Sequence, residues 1–292
     1  MTGPAQNSPP GASGAASRFG GDLRLRTLAG AAMMIIALAA AWIGGFWFLV
    51  FWFAAAAFVL WEWQTMIGGE RPLARLALGV SALLVASPFA LHGAAKTAFG
   101  ALIVGAIATG WAAGPKRGPQ FWSGAGVLYA GAIMASPVLL RASPAYGLSA
   151  ILWLFAVVWG ADIMAYFGGR LIGGPKLWPR VSPGKTWSGA LVGALSGGIL
   201  GAIVVLLTAP SGARLAPILA LGLAAAVIEE LGDLFESGIK RRFDVKDSSH
   251  LIPGHGGLMD RLDGFVAAAT FATAIGWART TGDWAASGLF QW

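Results

Sequence analysis

Apolar runs about as long as a bilayer-crossing helix recur along the whole chain, at 27–44, 46–64, 73–91, 97–114, 121–140, 146–167, 188–208, 215–235 and 262–279. A transmembrane helix needs roughly 20 mostly apolar residues, because each backbone N–H and C=O must find its partner inside the segment. In these runs the apolar side chains go all the way round the helix rather than along one stripe, as lipid on every side requires. Only 11% of the 292 residues are charged, against about 25% in soluble domains. A water-soluble globular enzyme is excluded. The expected fold class is all-α, a polytopic integral membrane protein with about nine transmembrane helices.

Residues 1–22 are rich in Pro, Gly, Ser and Ala and read as a disordered tail. Residues 23–145 then supply about five helices, and 146–292 about four more with polar loops at 168–187 and 236–261. The run from Thr27 reads as a retained first span rather than a cleaved leader, since a second apolar segment follows at once. With the N-terminus in the cytoplasm, all but Lys96, Arg141, Arg214 and Arg279 of the 20 Lys and Arg residues fall on the inside. That bias orients the N-terminus inward and the C-terminus outward. The net charge of +7 then points to anionic membrane lipids rather than nucleic acid. Trp61, Trp63, Trp122 and Trp277, near span ends, read as interfacial anchors, and Glu62 as a headgroup-facing residue. With no cysteine in the chain, disulfides, thiolate metal sites and a thiol nucleophile are ruled out.

The acids are distributed very unevenly. None lies between Glu70 and Asp162, whereas Glu229, Glu230, Asp233, Glu236, Asp244, Asp247, Asp260 and Asp263 crowd into one stretch, beside Lys240, Arg241, Arg242, Lys246 and Arg261. Carboxylates near a bilayer are costly and are retained for function. At about 100° per residue, Glu229, Asp233, Ser237 and Lys240 fall within about 80° of one helix face. The next stretch, to Gly256-Gly257, has the Gly and Pro content of a tight loop that lets backbone approach a ligand. Asp260 and Asp263, at i and i+3, open the following helix. Two carboxylate-bearing helix ends joined by a basic, Gly-rich loop suit a hard divalent ion, and Mg²⁺ with substrate phosphates is the natural candidate. That spacing does not separate Asp233 and Asp260 from Glu229, Asp247 or Asp263.

A second polar cluster sits between spans six and seven. Asp162, Tyr166 and Arg170 share a helix face, and Ser182-Pro183-Gly184-Lys185-Thr186-Trp187 opens the next helix. Gly-Lys-Thr before a helix suggests a phosphate loop, but residue 179 is Pro where GxxxxGK[ST] needs Gly. What remains is an anion site at a helix N-terminus with Lys185 beside it. A transporter is disfavoured because the ionisable groups gather at one membrane face rather than at the midplane.

The run Ser237-Gly238-Ile239-Lys240-Arg241, then Lys246-Asp247, then Pro253-Gly254-His255-Gly256-Gly257, then Asp260-Arg261-Leu262-Asp263 resembles the signature of the CDP-diacylglycerol synthase, or phosphatidate cytidylyltransferase, family. The Ser182 to Trp187 stretch and the Asp162 to Arg170 segment are similar to other motifs of its bacterial members. The resemblance implies a nine-span homodimer of the inner membrane, with its site on the cytoplasmic side. There it would join CTP to phosphatidate, giving CDP-diacylglycerol and pyrophosphate with Mg²⁺, and with K⁺ as a second cation. It implies metal ligation by Asp233 and Asp260, to which the helix-face reading adds Asp263. Asp233, Asp260, Lys240 and Asp247 are the expected catalytic residues. Substrate contacts are expected from Asp162, Arg170, Ser182, Lys185, Thr186, Ser237, Arg241, Lys246, His255, Gly256, Gly257 and Arg261.

Overall fold

The computed structural model describes residues 29–209, 214–249, 256–280, 282 and 284–292. The tail at 1–22 and His255 lie outside them. Helix α1 spans Ala29–Ile43. It is followed by α2 Gly45–Ile67, α3 Pro72–Leu91, α4 Ala95–Ala112, α5 Arg117–Arg141 and α6 Gly147–Leu171. A short hairpin, β1 Lys176–Trp178 and β2 Ser182–Thr186, leads into α7 Trp187–Thr208, α8 Leu215–Arg242, α9 Met259–Arg279 and α10 Ala285–Phe290. Among the described residues, α2 to α8 are long and apolar enough to cross a membrane. Helix α9 is 21 residues long but opens on Asp260, Arg261 and Asp263, which lower its hydropathy. The chain is a mostly helical, polytopic membrane protein.

Three details depart from the sequence expectation. The loop expected at 168–187 contains the antiparallel β1–β2 pair, with Lys176 opposite Thr186 and Trp178 opposite Ser182. Helix α8 continues through the polar residues to Arg242, so the loop expected from 236 begins only after that residue. Intrahelical hydrogen bonds and the i,i+4 pair of Glu236 with Lys240 sustain a helix where hydropathy alone stops it. Helix α10 lies beyond the last apolar run and adds an element to the expected set. Its Phe290 packs on Tyr146 and Trp153, with ring centroids 6.0 Å apart in each pair.

The bundle owes its close contacts to small residues, as expected where lipid removes the hydrophobic drive between helices. Gly189, Gly193, Gly197 and Gly201 recur every fourth residue on α7 and form one stripe. A Cβ on Gly193 would lie 2.8 Å from the Ala161 carbonyl oxygen, and one on Gly197 2.7 Å from that of Val157. The backbones of α6 and α7 therefore touch, which brings Asp162 of α6 beside the hairpin that starts α7. Helices α8 and α9 approach in the same way at Gly232, where a Cβ would lie 3.0 Å from the Asp263 carbonyl oxygen. Trp63 is no interfacial anchor. It is 1% exposed, and its indole N–H donates to the Trp122 carbonyl at 2.8 Å, because a buried Trp needs a partner for that group.

Candidate active site

At one end of the bundle α6, the β1–β2 hairpin, α8 and α9 converge. Thr186 caps α7: its hydroxyl accepts the Gly189 N–H at 3.1 Å, satisfying one of the orphan donors of the first turn. The Ser188 hydroxyl donates to the Gly173 carbonyl and pairs with Thr186 Oγ1, tying the hairpin to the end of α6. That anchorage aims Lys185 at α8. Its Nζ lies 2.6 Å from Asp233 Oδ2 and 2.8 Å from Glu230 Oε1. Burial opposes the charge on Lys185, yet the Asp233 and Glu230 carboxylates outweigh it and hold the ammonium well above the usual lysine range. Ser237 donates to the other Asp233 oxygen at 3.3 Å.

Lys240, one turn beyond Glu236, bridges two helices. Its Nζ is 2.7 Å from Glu236 Oε2 and 2.7 Å from Asp260 Oδ1. The Asp260 carboxylate also accepts the Gly257 N–H at 2.8 Å, and the Ser248 N–H and hydroxyl at 3.0 and 3.1 Å. Gly256 sits at φ +80°, and a Cβ there would lie 2.7 Å from Asp260 Oδ2, so only glycine lets the loop close over that carboxylate.

One carboxylate oxygen from each of Asp233, Glu236 and Asp263 lies within 4.8 Å of the others. The donors are all hard oxygen. Glu236 is fully buried, and the surrounding acids outnumber the cations Lys185 and Lys240 that pair with them. Such a set fits a hard divalent cation.

Glu62 does not face the headgroups, contrary to the sequence expectation: it is 0% exposed and belongs to this site. From α2 its carboxylate accepts the Leu258 and Met259 N–H groups at 2.8 and 2.7 Å, and the Ser249 hydroxyl at 2.6 Å. The physical reason is the opening of α9: free N–H groups at a helix start need an acceptor, and α9 has no side-chain cap of its own. No periodicity in the sequence links residues this far apart.

Two cavities meet here. The first, about 440 Å³, is polar and lined by Asp162, Arg170, Lys176, Lys185, Glu230 and Asp233 among others. The second, about 730 Å³, is an apolar cleft walled by α1, α2, α6 and α9, including Phe51, Trp52, Phe155 and Phe265. Asp233, Asp260, Arg261 and Asp263 lie along it. Asp162 and Asp233 line both cavities. Of the remaining expected residues, Arg170 donates to the Tyr166 hydroxyl at 3.1 Å, and Arg241 to the Val245 carbonyl at 3.3 Å. Ser182 starts β2 without lining either cavity, and Lys246 and Asp247 are exposed in the turn after α8. Sequence reasoning leaves Glu62, Glu230 and Glu236 out of the site. Glu236 carries a signal, its i,i+3 spacing from Asp233.

An acid-rich centre with Arg170, Lys176 and Lys185 on its polar cavity, opening to an apolar cleft in a membrane bundle, has the features that a lipid-modifying transferase requires. Residues 24–278 match the profile of the cytidylyltransferase family. A phosphatidate cytidylyltransferase of Brucella abortus biovar 1 is 40% identical over 260 residues, covering 87% of this chain and 93% of its own. One from Pseudomonas aeruginosa is 35% identical over 244 residues, 80% of this chain and 89% of its own. One from Haemophilus influenzae is 44% identical over 131 residues, 44% and 46% of the two chains. The chain belongs to the cytidylyltransferase family.

Proposed function

We infer that this chain transfers the cytidylyl group of CTP to phosphatidate, giving CDP-diacylglycerol and pyrophosphate for phospholipid synthesis. The observation that carries the reading is the junction of a polar, lysine-lined cavity with an apolar cleft at Asp162 and Asp233. A nucleotide triphosphate suits the first and acyl chains the second.

A phosphate monoester has a second pKa near 6, so the phosphatidate oxygen is already ionised at neutral pH and needs no general base. It forms a bond to the α-phosphorus of CTP as the bond from that phosphorus to the bridging oxygen breaks in line, and pyrophosphate leaves with the electron pair. The barrier is the approach of two polyanions, so positioning and charge neutralisation supply the catalysis. Lys185, Lys176 and Arg170 face the nucleotide side and Arg261 the lipid side. Lys240 and the Gly256-Gly257 turn fix the direction of Asp260. Asp233, Glu236 and Asp263, with Asp260 beside them, would hold Mg²⁺, which when bound supplies charge neutralisation for the phosphates. Excess negative charge leaves room for a second cation, for which family resemblance suggests K⁺. The same resemblance supports a homodimer, and the distribution of Lys and Arg supports nine spans in an inner membrane with the N-terminus and this site facing the cytoplasm.

The test is to mix purified protein with phosphatidate, Mg²⁺ and CTP labelled in the cytosine. Label should pass into a lipid extract. Its failure to do so under any metal or salt condition would sink the proposal.

A further inference from the structure

Arg75 stands one turn into α3, only 1% exposed. Its Nη1 donates to the Ser123 hydroxyl at 3.0 Å, while Nε and Nη2 have no hydrogen-bond partner among the described residues. A buried guanidinium with two idle nitrogens is costly, and most native structures do not tolerate it without a counter-charge or ligand. Arg75 lines a cavity of about 400 Å³ at the end of the bundle where α8 stops, together with Gly68, Gly69, Trp122, Arg242 and Phe243. No carboxylate lines it among the described residues. Glu70, in the same α2–α3 turn, is exposed and forms no part of its wall. Arg242, though exposed, lies over the Trp122 ring, 5.2 Å from its centroid, which holds its guanidinium beside the cavity. Gly68 and Gly69, at φ +62° and +96°, make a side-chain-free wall.

Lys240 and Arg242 are two residues apart on α8, about 200° around the helix. Lys240 faces Asp260, so Arg242 and its cavity lie across the end of α8 from the catalytic cluster. We propose that this cavity is a second anion site, built around Arg75 and Arg242, that takes a phosphate group. Two guanidinium forks without an internal acid match phosphate oxygens in charge and geometry. The group can arrive free in solution or as the headgroup of an anionic lipid, since both present the same oxygens.

Trp122 reports on the cavity directly. Inorganic phosphate titrated into lipid-free detergent micelles forms one arm, and phosphatidate in micelles against phosphatidylcholine blanks the other, each followed by tryptophan fluorescence in wild type and in Trp122→Phe. The component of the signal that Trp122→Phe removes should saturate in at least one arm, and which arm responds tells the free anion from the headgroup. Arg242→Gln, at an exposed position that spares the fold, should move its midpoint at least about tenfold higher, and Arg75→Gln should remove it. A signal that survives Trp122→Phe intact, an unchanged midpoint in Arg242→Gln, or no response in either arm overturns the proposal.

Discussion

Lys185 Nζ lies 2.6 Å from Asp233 Oδ2, so the hairpin before α7 and the middle of α8 are tied by the charge that also faces the polar cavity. The pair does two jobs: it offsets acid crowding on α8 and leaves an ammonium beside the expected phosphates. Lys185→Met should lower turnover by on the order of 10²–10³, the scale of losing one preorganised charge at a reacting phosphate, and should raise KM for CTP. Lys185→Arg should recover part of both. Steady-state kinetics with varied CTP reads the difference, and an unchanged KM in Lys185→Met would remove the lysine from the nucleotide side.

Asp260 is held by Lys240 at 2.7 Å and by the Ser248 and Gly257 N–H groups. Asn in its place keeps a carbonyl acceptor for the loop but loses the charge. Asp260→Asn should therefore elute folded, with a lowered thermal midpoint because its NH2 faces the Lys240 ammonium, and lose all measurable turnover. Full Mg²⁺-dependent activity in that variant would make the assignment of Asp260 wrong.

The triad of Asp233, Glu236 and Asp263 gives a prediction of its own. Glu236→Gln removes one charge without changing shape, so the Mg²⁺ concentration for half-maximal activity should rise at least about tenfold, a differential of about 1.4 kcal/mol. Activity measured across an Mg²⁺ series checks it. A midpoint equal to wild type would leave Glu236 as no more than the partner of Lys240.

Span positions are legible in the sequence because bilayer thickness dictates them. Apolar run length places α2 to α7 within a few residues of their observed ends, and the motif at 182–187 marks the start of α7. Hydropathy alone ends α8 near residue 235, because its last turns are polar and are held by Glu236, Lys240 and the neighbouring Asp260 rather than by lipid, whereas the shared helix face of Glu229, Asp233, Ser237 and Lys240 carries it on to Lys240. Asp233, Ser237 and Lys240 can be grouped in advance since they share one helix. Glu62 cannot, because its partners lie 187 to 197 residues away and only the folded bundle brings α2 against the start of α9.

The role of Glu62 follows from that contact. Its carboxylate accepts two backbone N–H groups and the Ser249 hydroxyl. Gln can accept with one oxygen only, and its amide hydrogens would face N–H donors that cannot turn round. Leaving one such buried donor unpaired costs about 1–3 kcal/mol. Glu62→Gln should therefore lower the thermal midpoint and, by loosening the loop that positions Asp260, reduce kcat more than KM for CTP. Thermal unfolding in detergent alongside kinetics distinguishes this from a solvent-facing Glu62, which would leave both unchanged.

The glycine stripe of α7 gives a paired test in which the same substitution has opposite signs. Alanine in place of glycine within a helix is favourable by about 0.5–1 kcal/mol where nothing obstructs the new methyl. At Gly100 on α4 nothing lies within 4 Å of where that methyl would stand, so Gly100→Ala should hold or raise the thermal midpoint. At Gly197 the same methyl would lie 2.7 Å from the Val157 carbonyl oxygen and 3.2 Å from the Cβ atoms of Ala161 and Ala226. Backbone cannot swing aside as a side chain can, so α6 and α7 must separate, with an overpacking cost of about 1–3 kcal/mol. Separation also withdraws Asp162 from Lys185, so Gly197→Ala should lose activity along with stability while Gly100→Ala keeps both. Melting curves and activity for the two variants side by side decide it, and a Gly197→Ala protein as stable and active as wild type would mean that helix contact does not set the site.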